Sequence, residues 1–511
     1  MLQDREIELK LAIDPADAAA FRRLPMMRKQ TIDAPKRRKV FNVYFDTPEL
    51  ALKQHGIALR LRKMGGKWLQ TLKTAGTAVG GLHQRGEWEH PLCVPQLDLS
   101  LLAGTPLAKL SGSKKLHLTL QPAFTTDFYR TTWQIEVTPG QRVEVALDQG
   151  IIRCGESESA ISEVEIELRE GSPAAVFDMA SSLVEHIALR PETRSKAERG
   201  YRLFHPEPMV ARRAVGVELK RKWSPLEAML AIVAACLTQF DANVEGALAS
   251  DDPEYIHQLR VSLRRLRSAM RIFKPADAGA IGDGLKWLAA TLGSARDWDV
   301  LVTTTLPTLL AGYGDASFAS EIMGTAQKRQ VAAREAARAA LVSTRQALLA
   351  MSVGRWVSVA GELALLPAPA AEDGRTFQAD AERNLTEFAS HEIRRHHRRV
   401  LRVSMVPLAE QSAEARHQVR IEAKRLRYAV DFFATIFDKK RVAQYLKILG
   451  EIQDGLGETN DGAVAMTIIE ALAPPAAFKD FAKGWFAARA HAEHAGMEVH
   501  FSALRSVKRF W

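Results

Sequence analysis

The sequence predicts a multidomain α+β protein with a sheet-rich first domain and an all-α second domain. Up to about residue 205, short runs of alternating polar and apolar residues are broken by Gly, Pro, Asn and Asp, as in SEVEIELRE and RVEVALDQG. From about Trp223 onward, long stretches rich in Ala, Leu and Arg show almost no such alternation. Many short strands with turn signals between them favour a closed barrel, and the second pattern is typical of helices.

Composition limits the class of protein and the kind of partner. A chain of 511 residues is long enough for two or more domains, and 47% hydrophobic and 25% charged residues are ordinary for soluble globular protein. The net charge of +10 favours an anionic partner. Three scattered cysteines argue against a disulfide framework and against a thiolate metal site. The charged start is not a secretory signal, and the most apolar run, LEAMLAIVAACLTQF, is too short to span a bilayer comfortably. We therefore expect a cytoplasmic protein with no membrane partner.

The strands of the first domain carry charge on one face. In the opening REIELKL, Glu6, Glu8 and Lys10 alternate with three aliphatic residues. Later strands repeat this pattern: Glu163, Glu165 and Glu167 in SEVEIELRE, Arg85, Glu87 and Glu89 in RGEWEH, Arg60 and Arg62 in IALRLRK, Lys73 in TLKTAG, Arg130 in TDFYRTTW, and Arg142, Glu144 and Asp148 in RVEVALDQG. In a closed barrel these faces could line the interior, where carboxylates would bind a hard divalent cation and basic groups would bind phosphate. The alternative is a solvated barrel exterior of mixed charge.

Helices and linkers divide the chain further. One helix begins at Asp14 and Pro15, and another covers SPAAVFDMASSLVEHIA from Ser172. The predicted domains are residues 1–205 and 223–511, joined by a linker at 206–222 that is basic and contains proline. A second break near 365–376, LLPAPAAEDGRT, splits the helical region in two.

The helical region contains an internal repeat. The segment HQLRVSLRRLRSAM at 257–270 matches HQVRIEAKRLRYAV 160 residues later. Downstream of these segments, LGSARDWD from Leu292 corresponds to LGEIQDGL from Leu449. Each copy places a basic stripe beside an apolar one. The basic residues are His257, Arg260, Arg264, Arg267 and Arg271 in the first copy, and His417, Arg420, Lys424 and Arg427 in the second. Such a pair suits an anion groove, although a basic helix face can also be simply solvated. No helix-turn-helix or stacking aromatics indicate nucleic acid.

The first domain resembles the CYTH family, the triphosphate tunnel metalloenzymes, through E-x-E-x-K, YFDTPELALKQHGIALRLR, GGLHQRGEWE, ALDQG, EVEIELRE and SKAERGYRL. The resemblance implies an eight-stranded antiparallel tunnel that binds triphosphate with a divalent metal, Mg²⁺ or Mn²⁺. Residue by residue, it implies catalytic roles for Glu6, Glu8, Lys10, Glu165 and Glu167, metal binding by Glu6, Glu8, Glu163, Glu165 and Glu167, and substrate binding by Lys10, Arg60, Arg62, Lys73, Arg130 and Lys196. Arg85 joins the substrate-binding set from its charged strand, whereas Glu87, Glu89 and Asp148 are weaker assignments. Which glutamates of the 163–167 strand face inward stays open, because a one-residue slip inverts the face.

The second domain resembles the CHAD family, through H-x-x-R-V-x-x-R-R-L-R followed by LG-x-x-RD-x-D. The resemblance implies two pseudo-symmetric four-helix bundles that bind inorganic polyphosphate through His257, Arg260, Arg264, Arg267, His417, Arg420, Lys424 and Arg427. The second copy departs from the motif where Lys424 replaces Arg and where LGEIQDGLGETND replaces the RDWD form.

Together these features predict a metal-dependent inorganic triphosphatase that hydrolyses tripolyphosphate, with a helical domain that binds long-chain polyphosphate and could associate with polyphosphate granules. A thiamine or nucleoside triphosphatase, or a class IV-type adenylate cyclase, would use the same tunnel. A non-catalytic polyphosphate-binding or granule-targeting protein is the alternative of a different class.

Overall fold

The computed structural model of the chain describes residues 5–29, 31–74, 76–79, 82–108, 120–275, 279–365 and 384–511. The chain forms two compact units. The first comprises Met1–Val210 and Val342–Val359, and the second comprises Ala211–Leu341 and Ala360–Trp511.

Among the described residues, the first unit has ten strands: β1 Arg5–Ile13, β2 Lys36–Asp46, β3 Ile57–Met64, β4 Lys67–Thr74, β5 Thr77–Val79, β6 Leu82–Leu92, β7 Gln121–Thr138, β8 Gln141–Cys154, β9 Ser157–Glu170 and β10 Leu189–Pro191. Eight of them close on themselves in the order β1-β9-β8-β7-β2-β3-β4-β6, with β6 paired back to β1. Every pairing is antiparallel. The predicted eight-stranded antiparallel tunnel is therefore confirmed, with β10 and β5 as additional short strands paired to β1 and β6.

Short helices accompany the strands of the first unit: α1 Ala18–Arg23, α2 Met26–Lys29, α3 Ala51–Gln54, α4 Ala174–Val184 and α5 Lys196–Phe204. The predicted helix after Asp14 begins as a 3-10 turn at Pro15–Asp17, whose first amide is capped by the Asp14 carboxylate. One apolar core joins α1 and α4 to the apolar faces of β1 and β9, where Leu9, Leu11, Val164 and Ile166 are fully buried. The apolar faces thus lie under helices, which leaves the charged faces for the barrel interior.

A second apolar cluster shares the inner faces of the strands with the charged residues. Val40, Phe128 and Ile152 pack with Tyr201 of α5 in this cluster. Phe128 packs directly over Gly150 of β8, where any added Cβ would clash with the Phe128 side chain and backbone. The barrel interior is therefore apolar in one part and highly charged in another.

One segment of the helical half belongs to the first unit. Ala347 and Met351 are fully buried in the core that contains α4, and Arg355 lies 2.6 Å from Asp178 of that helix. Gly354 faces the ring of Phe177 with no room for a Cβ. The predicted boundaries assign these residues to the second domain, whereas the structure groups 342–359 with the tunnel.

The second unit is helical in its described residues: α6 Pro225–Ala249, α7 Pro253–Phe273, α8 Gly279–Val300, α9 Leu306–Tyr313, α10 Ala316–Leu341, α12 Leu385–Val403, α13 Ala413–Phe433, α14 Lys439–Ala471 and α15 Ala476–Ser506. Helix α11, Thr344–Leu365, lies between the two copies in the sequence, and most of it belongs to the first unit. In the first copy α6, α7, α8 and α10 pack in succession, and α12 to α15 do so in the second. By length and composition alone α6 could cross a membrane, and 44% of its most apolar window is buried. The predicted break near 365–376 lies almost entirely outside the described residues.

The two copies correspond in detail. Ser224 and Asp252 cap α6 and α7, and their counterparts 160 residues later, Asn384 and Ser412, cap α12 and α13. The apolar stripe of α7 is buried except for the partly buried Met270, the apolar stripe of α13 is buried, and the two helices pack against each other. The internal repeat is therefore a repeat of structure as well as of sequence.

Candidate active site

The barrel encloses a cavity of about 960 Å³ that is lined by charged side chains. Its lining includes Glu6, Glu8, Lys10, Arg60, Arg62, Lys73, Arg130, Glu165, Glu167 and Lys196 from the predicted site, together with Glu87 and Glu89. Strand register explains this convergence, since β1 and β9 place Lys10 opposite Glu165 and Glu8 opposite Glu167. Side chains of directly opposed residues lie on the same face of the sheet. Most of the charged residues predicted from alternation therefore line the cavity, whereas Arg142 is exposed and pairs with Glu170.

Glu165 is the centre of the most buried charge cluster. It accepts hydrogen bonds from Lys10 and from Arg130. Lys10 also lies 3.1 Å from Glu8, and Arg130 grips Asp148 through two bonds of 2.8 and 2.6 Å. Burial alone would raise the pKa of Glu165, but Lys10, Lys196 and Arg130 together hold it well below its usual range. Glu165 is therefore ionised, and it is neutralised by cations of the protein.

Lys196 connects α5 to the same cluster. The helix begins at Lys196, behind a capping box formed by Ser195 and Glu198. The Lys196 ammonium lies 2.6 Å from Asp148 and 3.0 Å from Glu165, and it donates to Glu163. This start of α5 therefore delivers a cation into a group of three carboxylates.

Glu163 differs from Glu165 and Glu167 of the same strand. It is fully buried, it does not line the cavity, and its second oxygen lies 3.1 Å from Arg199 of α5. The oxygens of Asp148, Glu163 and Glu165 lie within 4.8 Å of one another, which makes them a possible metal-binding group. Each of these carboxylates already forms an ion pair with Lys196. Metal binding by Glu163 stays a prediction.

The carboxylates nearer the cavity are less completely neutralised. Lys73 lies 2.7 Å from Glu6 and 3.0 Å from Glu87. Burial raises the pKa of Glu167 to about 7, and the negative charges of Glu6, Glu144 and Glu8 act in the same direction against Arg169. Carboxylates that repel one another inside a cavity are a suitable donor set for a divalent cation, which would relieve the repulsion. The residues present therefore fit the metal that the CYTH resemblance implies.

Arg60 and Arg62 of β3 face the cavity, and their hydrogen-bond partners are neutral. Glu87 lies 3.6 Å from Arg60 and Glu89 lies 3.7 Å from Arg62, beyond hydrogen-bond distance. In the register of β2 and β3, Arg60 lies opposite Tyr44 and Arg62 opposite Asn42. Arg60 donates to the Tyr44 hydroxyl at 3.1 Å, and within the described residues its Nε and Nη2 find no hydrogen-bond partner. Buried donors of this kind suit the oxygens of a phosphate.

Some lining residues were not among the predicted site residues. Lys36 and Arg38, at the start of β2, line the cavity and remain exposed to solvent, whereas Arg37 points away and stacks on Tyr129 at 4.5 Å. Alternation along KRRKVFN could have separated Arg38 from Arg37, because alternate residues of a strand face opposite ways. Arg85 lies on β6, opposite Glu6 in the register, but its side chain is outside the described part of the structure.

Comparison with known proteins assigns both units. Residues 4–201 match the model of the CYTH domain, and residues 231–470 match the model of the CHAD domain. The chain carries a CYTH domain and a CHAD domain. Both resemblances drawn from the motifs are thereby confirmed.

Two relatives represent the two domains separately. The CYTH half is 39% identical over 206 residues to an inorganic triphosphatase of Haemophilus influenzae, a match covering 40% of this chain and 55% of that protein. The chain thus spans about half the length of this relative. The CHAD half is similar to the crystal structure of the CHAD domain from the plant Ricinus communis, with 31% identity and a TM-score of 0.51 over 60% of this chain and 99% of the other. This second likeness supports the helical fold assigned above.

Basic residues of the CHAD domain have carboxylate partners in both copies. Arg260 of α7 lies 3.9 Å from Asp297 of α8, and Arg420 of α13 lies 3.6 Å from Asp461 of α14. Among the remaining predicted residues, His257, Arg267 and Arg427 are partly buried and His417 is exposed. These carboxylates balance only part of the positive charge along α7 and α13.

The basic stripes of the two CHAD copies meet. Arg264 of the first copy donates a hydrogen bond to the Tyr428 hydroxyl of the second. Burial lowers the pKa of Lys424 to about 8, and the neighbouring positive charges of Arg420 and Arg264 lower it in the same direction. Because a first-copy arginine acts on a second-copy lysine, the two stripes form one continuous basic surface.

Proposed function

We propose that the CYTH domain is a metal-dependent inorganic triphosphatase that hydrolyses tripolyphosphate to diphosphate and phosphate with Mg²⁺ or Mn²⁺. The observation that carries this proposal is a closed tunnel whose wall alternates carboxylates with lysines and arginines. A triphosphate chelating a divalent cation presents the complementary charges. The 39% identity of this half to an inorganic triphosphatase supports the same reaction.

The residues of the tunnel divide into two roles under this proposal. Arg60, Arg62 and Lys73 bind and orient phosphate oxygens, and their charge stabilises the negative charge that develops during phosphoryl transfer. The carboxylates Glu6, Glu8, Glu165 and Glu167 would hold the metal. A bound Mg²⁺ or Mn²⁺ would supply an activated water and neutralise charge on the phosphoryl group. Lys10, Arg130 and Lys196 keep Glu165 ionised and fixed in place, and all three also line the cavity.

Phosphate release from tripolyphosphate tests this proposal directly. Wild type would be compared with Glu6→Gln and Glu165→Gln, each with Mg²⁺, with Mn²⁺ and with EDTA, and with ATP and thiamine triphosphate as competing substrates. We expect metal-dependent turnover of tripolyphosphate that both substitutions abolish. Preferred turnover of thiamine triphosphate or ATP would reassign the substrate, and absence of turnover with every compound would refute the enzymatic role.

We further propose that the CHAD domain binds long-chain inorganic polyphosphate and places the protein at polyphosphate granules in the cytoplasm. The shared basic surface of α7 and α13 supports this, because a linear polyanion needs a long track of positive charge. Replacing Arg260, Arg264, Arg420 and Lys424 by alanine should weaken polyphosphate binding while leaving tripolyphosphate turnover unchanged. Equal polyphosphate affinity in this variant and in wild type would argue against the groove.

A further inference from the structure

A buried amide stands directly behind one arginine of the tunnel. Asn42 of β2 is fully buried and is not among the residues that line the cavity. Its side-chain oxygen accepts a hydrogen bond from Nε of Arg62 at 3.1 Å, and its side-chain nitrogen donates to the Thr126 hydroxyl of β7 at 2.7 Å. Three adjacent strands therefore hold the guanidinium from behind.

Arg62 differs from Lys10, Lys73 and Arg130 in the charge of its hydrogen-bond partner, a feature that it shares with Arg60. Lys10, Lys73 and Arg130 each have a carboxylate oxygen within 3.1 Å. Among the described residues, the carboxylate in ion-pair range of Arg62 is that of Glu89, at 3.7 Å, and the Glu89 side chain is 38% exposed. An amide can orient a guanidinium without neutralising it, so the positive charge of Arg62 stays available to an anion in the cavity.

The surroundings of Arg62 make such an anchor necessary. Burial lowers the pKa of Arg62 to about 10, and the like charges of Arg60 and Arg130 act in the same direction. In an empty tunnel those charges would push a free guanidinium away from the place where a phosphate binds. A hydrogen bond to a buried amide, itself bonded to Thr126, opposes that displacement and adds no negative charge that would repel the ligand.

We propose that Asn42 is a positioning residue that fixes Arg62 through Nε, so that the two Nη groups face the tunnel and bind a phosphate of the triphosphate. This role rests on the proposed triphosphatase function. Asn42 itself touches no substrate, and its effect should pass entirely through Arg62. A merely structural Asn42 would instead change activity whether or not Arg62 were present.

A double-mutant cycle separates these two roles. Tripolyphosphate binding is measured by calorimetry in EDTA, and kcat and KM are measured with Mg²⁺, for wild type, Asn42→Ala, Arg62→Ala and the double variant. A lost hydrogen bond to a charged group should weaken binding and raise KM about tenfold in Asn42→Ala. In the Arg62→Ala background the same substitution should change either quantity by less than about twofold.

Two further variants complete the test, one as a substitute for Asn42→Ala and one as a control. Asn42→Ser keeps a buried polar side chain that is uncharged and too short to reach Nε of Arg62, so it should weaken binding about as much as Asn42→Ala and again only when Arg62 is present. It carries the test if Asn42→Ala does not fold, as judged by thermal melting. Thr131→Val is the control, because Thr131 of β7 is also a buried polar residue that does not line the cavity, although its neighbours Arg130 and Thr132 do. This variant should leave KM unchanged.

The outcomes keep the two proposals apart. If wild type binds and hydrolyses tripolyphosphate but Asn42→Ala has the same effect in both backgrounds, the positioning role of Asn42 is wrong and the triphosphatase proposal stands. If wild type neither binds nor hydrolyses tripolyphosphate, the proposed function itself is wrong.

Discussion

Replacing Lys196 by methionine should destabilise the tunnel far more than a typical loss of a lysine. The ammonium lies 2.6 Å from Asp148 and 3.0 Å from Glu165 and donates to Glu163, and Asp148 and Glu163 are fully buried. Methionine keeps the apolar stem of the side chain and removes only the charge. Removing one partner of a buried ion pair costs about 3–5 kcal/mol, because the remaining charge is left uncompensated. We therefore expect Lys196→Met to lower the free energy of unfolding of the tunnel by about that amount.

Lys53→Met provides the matched control, because Lys53 pairs with Glu207 at 3.0 Å on the surface, where such pairs contribute about 0–1 kcal/mol. Native-state hydrogen exchange reports β8 and β9 separately from the helical unit, and about 3 kcal/mol corresponds to roughly a hundredfold faster exchange. Burial raises the pKa of Glu163. Protonation therefore relieves the penalty, so the deficit should be larger at pH 8 than at pH 5.5. A loss no greater than that of Lys53→Met, at either pH, would refute the buried-cluster reasoning.

Three other substitutions have distinct expected results. Arg130→Lys should lower kcat/KM for tripolyphosphate at least about tenfold in steady-state assays, because lysine cannot reproduce the two-bond grip on Asp148. With a Glu167 pKa of about 7, protons compete with metal below that pH. The metal concentration for half-maximal turnover should therefore rise about tenfold per pH unit as pH falls below 7, and Glu167→Gln should flatten this dependence. With a Lys424 pKa of about 8, polyphosphate affinity measured by calorimetry should fall between pH 7 and pH 9, whereas Lys424→Arg should keep it constant.

Strand alternation was sufficient to predict which charged residues share a face, whereas the eight-stranded tunnel was predicted from the CYTH resemblance. The side-chain period of a strand is two, so Glu6, Glu8 and Lys10 had to share a face whatever the rest of the fold did. A charged face on strand after strand left a closed interior as the most economical arrangement. The same period settles which residues of the 163–167 strand share that face, and the structure places Glu165 and Glu167 on the cavity wall.

The register between strands and the packing of helices could not be predicted from local sequence patterns. Nothing in the sequence near Glu163 indicates that Lys196 and Arg199 of α5 lie against it. That contact depends on where α5 packs, and α4 and β10 separate α5 from β9 in the sequence. Asn42 carries no charge and forms no motif, so its pairing with Arg62 appears only once β2 and β3 are aligned. The sequence of segment 342–359 predicts one more helix, and only its packing in the structure shows that it belongs to the first unit.

The charge balance of the tunnel links metal binding to substrate binding. Without ligands, Lys73 neutralises Glu6, Lys10 and Arg130 neutralise Glu165, and the cavity is largely compensated. A triphosphate entering alone would draw these cations to its oxygens and leave the carboxylates uncompensated, at a cost of several kcal/mol per buried charge. A divalent cation entering alone would draw the carboxylates and leave the lysines and arginines unpaired. The two ligands together would replace ion pairs of the cavity wall, such as Lys73–Glu6, by new ones, with cations on phosphate and carboxylates on metal. Because each ligand removes the penalty of the other, tripolyphosphate should bind more tightly as metal is added, and metal more tightly in the presence of tripolyphosphate by the same factor.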